Sequence, residues 1–313
     1  MIVYTLRRLL TAAGTVIGAV TLLFVIIRLI PGDPAVVMLG PRASEGMIAS
    51  MRARMMLDEP VHVQLLAFLS NVLRGDLGRD VLNELPVMGM VLDVLPYTIV
   101  LAFGSIVLAV LIGVPLGAFA AAYRNSWLDR VTAFVSVAFI TVPPFVAGLL
   151  LLLLFAVQLR WLPVSGGGTP GDLASQARHL ILPVLALALT WVGYIARLIR
   201  SSVLEEITKD HVRTARSKGL APGRVLFKHV LRGALIPTIA VLGVGFGNLL
   251  GGAVLVEIIF NRPGLGFMIL NAIESRNYPV VQGGLVVAVF LYTMANLIAD
   301  LSYGFVDPRI REA

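Results

Sequence analysis

Residues 97–122 read YTIVLAFGSIVLAVLIGVPLGAFAAA, a stretch without a single charged side chain. As an α-helix rising 1.5 Å per residue it would extend about 39 Å, enough to cross a hydrocarbon layer roughly 30 Å thick. Its apolar residues run on without the spacing that marks one buried face, as lipid selects and a soluble core does not. Inside lipid the backbone has no water to bond, so a helix must satisfy those groups within itself.

Five further blocks of this character lie at residues 9–30, 131–157, 180–196, 234–256 and 283–299, the fourth and sixth spans being the shortest. The sequence therefore predicts an all-α membrane protein with six transmembrane helices. Composition agrees: 58% of residues are apolar and 14% charged, against roughly 45–50% and 25% in soluble globular chains. There is no cysteine, which excludes disulfides, thiolate nucleophiles and cysteine metal sites. Arg7 and Arg8 ahead of the first block imitate a secretory leader. The apolar run is longer than the usual 7–15 residues of a cleaved core and no small-residue cleavage site follows, so a retained first span is expected.

Basic residues give the orientation. Arg7 and Arg8 precede the first span and Arg124 and Arg130 follow the second. Residues 197–233 carry Arg197, Arg200, Lys209, Arg213, Arg216, Lys218, Arg224, Lys228 and Arg232 against only Glu205, Glu206 and Asp210. The positive-inside rule places all three regions in the cytoplasm. Residues 31–96 hold Arg42, Arg52, Arg54, Arg74 and Arg79 against eight acids, including Asp58, Glu59, Asp76 and Asp80, and read as external. Six spans bring both termini inside, with Arg309 and Arg311 in the tail. The expected divisions are 1–30 (N-terminus and first span), 31–96 (external segment), 97–303 (spans two to six, with the cytoplasmic loop 197–233) and 304–313 (tail). The net charge of +7 is then a matter of topology, and no nucleic acid is implied.

Within the basic loop, Asp210 is expected to cap a short helix running through Ser217 or Lys218. Gly219 supplies the left-handed residue that ends it, and Pro222 suits the first turn of another helix. Residues 211–232 thus read as helix, sharp turn, helix, with Pro237 where the chain re-enters lipid. Two roles fit such a segment. It can pass a push from a partner into the bundle as a rigid-body movement, or it can be a basic surface helix that holds topology and touches anionic headgroups.

The fifth span holds Gly243, Gly245, Gly247, Gly251 and Gly252, which serve either close helix packing or bending as a pathway opens. Pro143 and Pro144 predict a kink in the third span. Arg28, Glu257 and Asp300 at span edges fit snorkelling or pairing better than a proton relay. No Gly-x-x-x-x-Gly-Lys-Ser/Thr phosphate loop occurs, the four histidines form no metal-binding helix motif, and there is no serine elbow or carboxylate pair. No catalytic residue, metal ligand or cofactor of this chain is expected.

The run Arg213-Thr-Ala-Arg-Ser-Lys-Gly219-Leu220, with Leu231 and Pro237 downstream, resembles the coupling loop of binding-protein-dependent ABC importer permeases. The general form of that loop has a glutamate and two alanines before the glycine, where this chain has Arg213, Thr214 and Ala215. Arg232 stands where many members have an extra proline, so a glutamate-specific contact is not carried over. The arginine-threonine-alanine-arginine run is instead similar to the dipeptide, oligopeptide and nickel branch. Leu29-Ile-Pro-Gly-Asp-Pro34, Gly75-Asp-Leu-Gly78, Trp161-Leu-Pro-Val-Ser-Gly166, Pro263-Gly-Leu-Gly266, Tyr278-Pro-Val-Val-Gln-Gly283 and Asp307-Pro-Arg-Ile-Arg311 resemble that branch in the same order. The long segment between the first two spans points to the first of its two permease subunits.

This resemblance implies a type I ABC importer permease bundle in a bacterial or archaeal plasma membrane. It further implies a second homologous permease, two ABC ATPase subunits that hold ATP and Mg, and an external binding protein that delivers dipeptides or oligopeptides. Arg213, Thr214, Ala215, Arg216, Ser217, Lys218, Gly219 and Leu220 become the ATPase-coupling candidates. Gly243, Gly247, Asn248 and Gly251 become gate candidates. Asp76, Arg262, Pro263 and Gly264 become candidates for docking the binding protein, with residues 257–282 expected to form a folded cap. Nickel chelates, glutathione or haem are alternative cargoes. The rival class, an ion-coupled secondary transporter, would place ionisable groups at broken helices near mid-membrane, where this chain has few.

Overall fold

The computed structural model describes residues 2–29, 32–40 and 43–306. Ile30, Pro31, Arg42 and the tail residues 307–313, with the motif at 307–311, lie outside the described residues. In chain order the helices are α1 (Ile2–Leu29), α2 (Pro34–Leu39), α3 (Glu45–Arg54), α4 (Val61–Leu73), α5 (Val87–Ala122), α6 (Trp127–Thr141) and α7 (Pro144–Leu151, continued by the π-helical stretch Leu152–Gln158). Then come α8 (Leu173–Glu206), α9 (Asp210–Ser217), α10 (Pro222–Arg224, continued by the π-helical Val225–Val230), α11 (Leu231–Ile259), α12 (Leu265–Glu274) and α13 (Tyr278–Val306). Among the described residues, five helices are long and apolar enough to cross a membrane, or six when the bent pair α6 and α7 counts as one span. That is the six-span, all-α class the apolar blocks predict, and among the described residues the sole β feature is an isolated bridge between Arg79 and Pro86.

Helix starts follow local chemistry. Asp33 accepts the Ala35 amide at 3.0 Å with Pro34 in the first turn, and Asp172 accepts the amides of Ala174 and Ser175 to open α8. At α6 the caps are reciprocal: Ser126 Oγ accepts the Asp129 amide, while Asp129 Oδ2 accepts the Asn125 amide at 2.9 Å.

The third span breaks rather than kinks, with α6 and α7 meeting at 102°. Pro143 forces Val142 into extended backbone (φ −79, ψ 119), and Pro144 does the same to Pro143, so two residues in succession leave the helix. A single interior proline is absorbed, as Pro183 is in α8 and Pro237 in α11.

Hydropathy blocks understate the helices. α5 begins at Val87, so the end of the 31–96 segment is helical and continuous with the second span. α8 runs on to Glu206 and takes in Arg197 and Arg200, which the sequence places in the loop. Arginine and leucine are good helix formers, so the helix continues past the point where lipid compatibility stops.

The chain divides into two compact units. In the one formed by residues 99–262 and the chain from 298 on, α8 is the central strut. Gly117 of α5 and Gly193 of α8 bring backbones together: a Cβ at 117 would overlap the Ala196 carbonyl, and one at 193 would stand 2.5 Å from the Ser136 carbonyl of α6. Ile195, Ile199 and Val203 of α8 are buried with Ala118 and Ala121 of α5, Val212 and Ala215 of α9, and Val225, Val230 and Ala234. A second cluster joins Leu182 and Leu187 to Leu249, Val256 and Phe260.

The other unit comprises residues 2–98 and 263–297. Val20, Leu77, Val87, Val91, Leu265, Ile269 and Val280 form its core, and Phe24 stacks on Phe68 at 5.7 Å. Two buried polar ties cross this core: Thr98 Oγ1 accepts the Leu265 amide at 2.8 Å, and Asn277 Nδ2 donates to Asp80 Oδ1.

Candidate functional site

The basic segment is organised around one carboxylate. Lys209 has extended backbone (φ −73, ψ 152) and precedes α9 without a side-chain cap. Asp210 is therefore the first helical residue and not the expected cap. Its charge faces the positive end of the helix, and Oδ1 lies 3.4 Å from Arg213 Nη2. The difference arises because Lys209 is drawn back to Glu206, Nζ standing 2.5 Å from Oε2, and that hydrogen bond holds its ammonium above the usual lysine range. His211 Nε2 lies 3.4 Å from the other oxygen, Oε1. The Glu206 carboxylate also rests on Gly233, where any Cβ would overlap it. The end of α8 and the starts of α9 and α11 thus meet at Glu206.

α9 buries Val212 and Ala215 and exposes Arg213, Thr214, Arg216, Ser217 and Lys218. Gly219 then turns the chain at φ +74, as a left-handed glycine terminator does, and Leu220 is half-buried beyond it. Beside the helix, His211, Thr214, Lys218, Arg224, Lys228 and His229 line a basic cavity of about 420 Å³. Of the eight coupling candidates, Ala215 alone is fully buried. Arg213, Arg216 and Lys218 put three cationic side chains on the exposed side of this segment.

A second cavity, of about 500 Å³, opens between three spans. Ile140 of α6, Thr190, Trp191 and Tyr194 of α8, and Val241, Gly245 and Asn248 of α11 line it. Asn248 is the one gate candidate in this lining. Gly243 backs onto Ala299, Gly247 is buried, and Gly251 has nothing within 4 Å of where a Cβ would stand. Gly245 lets the Trp191 ring press on α11, and Trp191 meets Tyr194 edge to face at 5.8 Å. Thr190, Trp191 and Tyr194 escape a reading based on glycines. A signal existed: Thr190, Tyr194, Arg197 and Ser201 recur at i, i+4, i+7 and i+11, which puts polar groups on one face of α8.

The docking candidates separate. Asp76 is exposed in the turn after α4, its Oδ1 accepting the Gly78 amide at 2.9 Å, and Pro263 is half-buried. Arg262 is 3% exposed and Gly264, the residue before α12, is buried. These two seat structure rather than offer a surface. Glu257 is fully buried and so does not snorkel, while Arg28 lies over the Phe24 ring at 5.0 Å. Among the described residues no three metal-ligating side chains come together.

A multi-span bundle with a chamber between spans, and an exposed basic helix tied to the end of the span that lines it, has the architecture of a membrane transport pathway. Residues 113–312 match the model of the binding-protein-dependent transport system inner membrane component, and residues 1–102 match the N-terminal model of such membrane components. The chain belongs to this family, the one its loop motif resembles, and is a multi-pass membrane component of a transport system.

It is 41% identical to a probable peptide ABC transporter permease, y4tP, of Sinorhizobium fredii, covering 99% of each chain. It is 38% identical to the dipeptide transport system permease DppB of Alkalihalophilus pseudofirmus, over 99% of this chain and 100% of the relative. It is also 38% identical to the glutathione transport system permease GsiC of Salmonella choleraesuis, over 99% of each. In fold it is similar to a chain of the MetNI methionine ABC transporter in an inward-facing conformation. The TM-score is 0.59 at 19% identity, covering 70% of this chain and 97% of the other.

Proposed function

We propose that this chain is one of two permease subunits of an ATP-driven importer in a bacterial or archaeal plasma membrane, and that its cargo is a dipeptide or oligopeptide. The observation that carries this reading is identity of 38–41% over essentially the whole chain with permeases named for peptide, dipeptide and glutathione transport. Glutathione is itself a small peptide, so the three names share one cargo chemistry.

In this reading both termini and residues 207–233 face the cytoplasm, where the positive charge is concentrated. Two partner ATPases bind ATP and Mg, close together, and push on the segment from Arg213 to Leu220. A second permease completes the pathway. An external binding protein docks over residues 32–86, where Asp76 is exposed, with Pro263 as a second contact, and releases peptide into the chamber at Trp191, Tyr194 and Asn248. Hydrolysis resets the bundle.

The test is uptake of labelled di- and tripeptides by proteoliposomes holding both permeases, the ATPases and the cognate binding protein. Uptake that needs ATP and the binding protein is expected. Uptake that persists without ATP and collapses with an ionophore would assign the chain to ion-coupled transport instead.

A further inference from the structure

Below the chamber, towards the end of α8 at Glu206, lies a cavity of a different character. It measures about 460 Å³ and is lined by Thr132, Ala133, Ser136 and Val137 of α6 and by Ala196, Arg197, Arg200 and Ser201 of α8. The chamber takes Ile140 from α6 and Thr190, Trp191 and Tyr194 from α8. The two cavities therefore draw on consecutive turns of the same pair of antiparallel helices.

Helical periodicity puts seven of their lining residues on one side of that pair, while Thr132, Ala196 and Arg200 of the second cavity fall just across the contact line. The helices touch where Gly193 meets the Ser136 carbonyl. Taking that contact as the reference and 100° per residue, Thr190, Tyr194, Arg197 and Ser201 all fall within about 40–100° of it on α8. Ala133, Val137 and Ile140 fall in the same sector of α6. Those positions lie along one sector of the α6–α8 pair, from the aromatic chamber to the second cavity with its hydroxyls and guanidinium groups.

The two arginines at that cavity differ. Arg200 is committed: Nε donates to Asp129 Oδ1 at 2.5 Å and Nη2 to Oδ2 at 2.9 Å. Asp129 in turn caps α6, so this pair fixes the floor of the groove. Arg197 is exposed and makes no ion pair among the described residues. Thr132, Ser136 and Ser201 stand round the same cavity as further hydrogen-bonding groups. Higher up, Thr190 borders the chamber, its hydroxyl buried with no hydrogen-bond partner among the described residues.

An uncommitted guanidinium among hydroxyls is a receptor for a carboxylate, because its fork matches the two oxygens. We infer that the α6–α8 groove continues the translocation pathway towards the cytoplasm, and that Arg197 receives the carboxylate of the passing peptide there. The inference rests on the peptide-importer reading above. The committed pair Arg200–Asp129 keeps the groove in shape, and the free arginine supplies a weak station that draws the anionic end of a zwitterion out of the aromatic chamber.

The absence of cysteine allows single cysteines to be placed in an otherwise unreactive chain. In the assembled transporter, Tyr194→Cys, Arg197→Cys and Ser201→Cys are expected to react with charged, membrane-impermeant methanethiosulfonates. Phe134→Cys, half a turn round α6 from Ser136 and 77% exposed, is expected to react only with a lipid-soluble maleimide. Failure of all three groove positions to react with the charged reagents would overturn the pathway.

Charge at 197 tests the station. Uptake of labelled dialanine or trialanine is expected to fall about tenfold in Arg197→Cys. It should recover when a trimethylammonium-ethyl group is attached to that cysteine and stay low when the group carries a sulfonate. Arg197→Lys is expected to keep most of the uptake. Equal effects of the two adducts, unchanged uptake in Arg197→Cys, or a lysine variant as impaired as the cysteine one would each overturn the role of Arg197. If the wild-type transporter takes up neither peptide, the peptide reading fails, and the reagent accessibility still decides where the groove leads.

Discussion

Replacing Gly219 by valine tests whether the turn after α9 lies in the line of transmission. Gly219 stands at φ +74, and a Cβ there would meet nothing within 4 Å. A side chain therefore has room, and the cost is conformational alone. Left-handed backbone costs an L-residue roughly 1–2 kcal/mol, and a β-branched one lies at or above the top of that range. What holds α9 in place is of similar size. Eight residues are too few to sustain a helix in water, so it depends on burying Val212 and Ala215, worth about 2–3 kcal/mol together.

The valine thus shifts the turn and loosens α9 while leaving the spans, with their far larger burial, intact. At about 1.4 kcal/mol per tenfold, transport per ATP hydrolysed should fall about tenfold. The assay measures peptide uptake and phosphate release together in proteoliposomes, with permease content and complex assembly checked by gel filtration. Gly219→Asn is the control, since asparagine tolerates left-handed backbone and is expected to keep most of the coupling. Full coupling in the valine variant would show that the turn transmits nothing. Equal damage by asparagine and valine would show that the side chain, and not the backbone, causes the defect.

Four other outcomes are expected. Asp129→Asn removes a charged partner from Arg200 and weakens the α6 cap, a loss of about 1.5–3 kcal/mol, visible as a thermal midpoint several degrees lower by tryptophan fluorescence; an unchanged midpoint would contradict it. Gly245→Val drives Trp191 into the chamber and should abolish uptake with assembly intact, whereas Gly251→Ala, with open space around it, should transport normally. Gly233→Ala displaces the Glu206 carboxylate and should lower uptake per ATP several-fold without reducing expression. The Lys209 pKa is raised in the folded protein by its hydrogen bond to Glu206, so this tie contributes fully below about pH 10.5 and is lost only as pH rises through the folded value; Lys209→Met should therefore weaken coupling equally at pH 6.5 and 8.5.

The spans were legible because lipid leaves its mark on composition, and an uncharged block such as residues 97–122 has few alternatives. Gly219 was legible for a related reason: a left-handed terminator is a local requirement that one residue type meets. Helix ends were not, since hydropathy reports where lipid stops and not where hydrogen bonding stops, which is why Arg197 and Arg200 fall inside α8. The start of α9 differs by one residue from the capping pattern because Lys209 is held back by Glu206 three residues earlier, a local acid–base pair that competes with the Asp210 cap. Chamber residues such as Trp191 and Tyr194 could be placed only once Gly193 had shown which face of α8 meets α6. Arg262 followed the same logic in reverse: a charge beside an apolar block suggests a surface, and the packing buries it.

The position of Pro183 bears on how a push at α9 would reach the chamber. From Glu206, where Lys209 and His211 are held, to Tyr194 in the chamber lining is about 18 Å along α8. No proline or break interrupts that stretch, and Gly117 and Gly193 lock its backbone against α5 and α6. Pro183, the residue at which α8 lacks a hydrogen bond and bends most easily, lies on the other side of the chamber. On the proposed function, a displacement of Glu206 would therefore reach Arg197, Tyr194 and Thr190 as the movement of one rigid rod, with the flexion taken up beyond them. Were the proline between Glu206 and Tyr194, the same push would be absorbed as a bend before it reached the pathway.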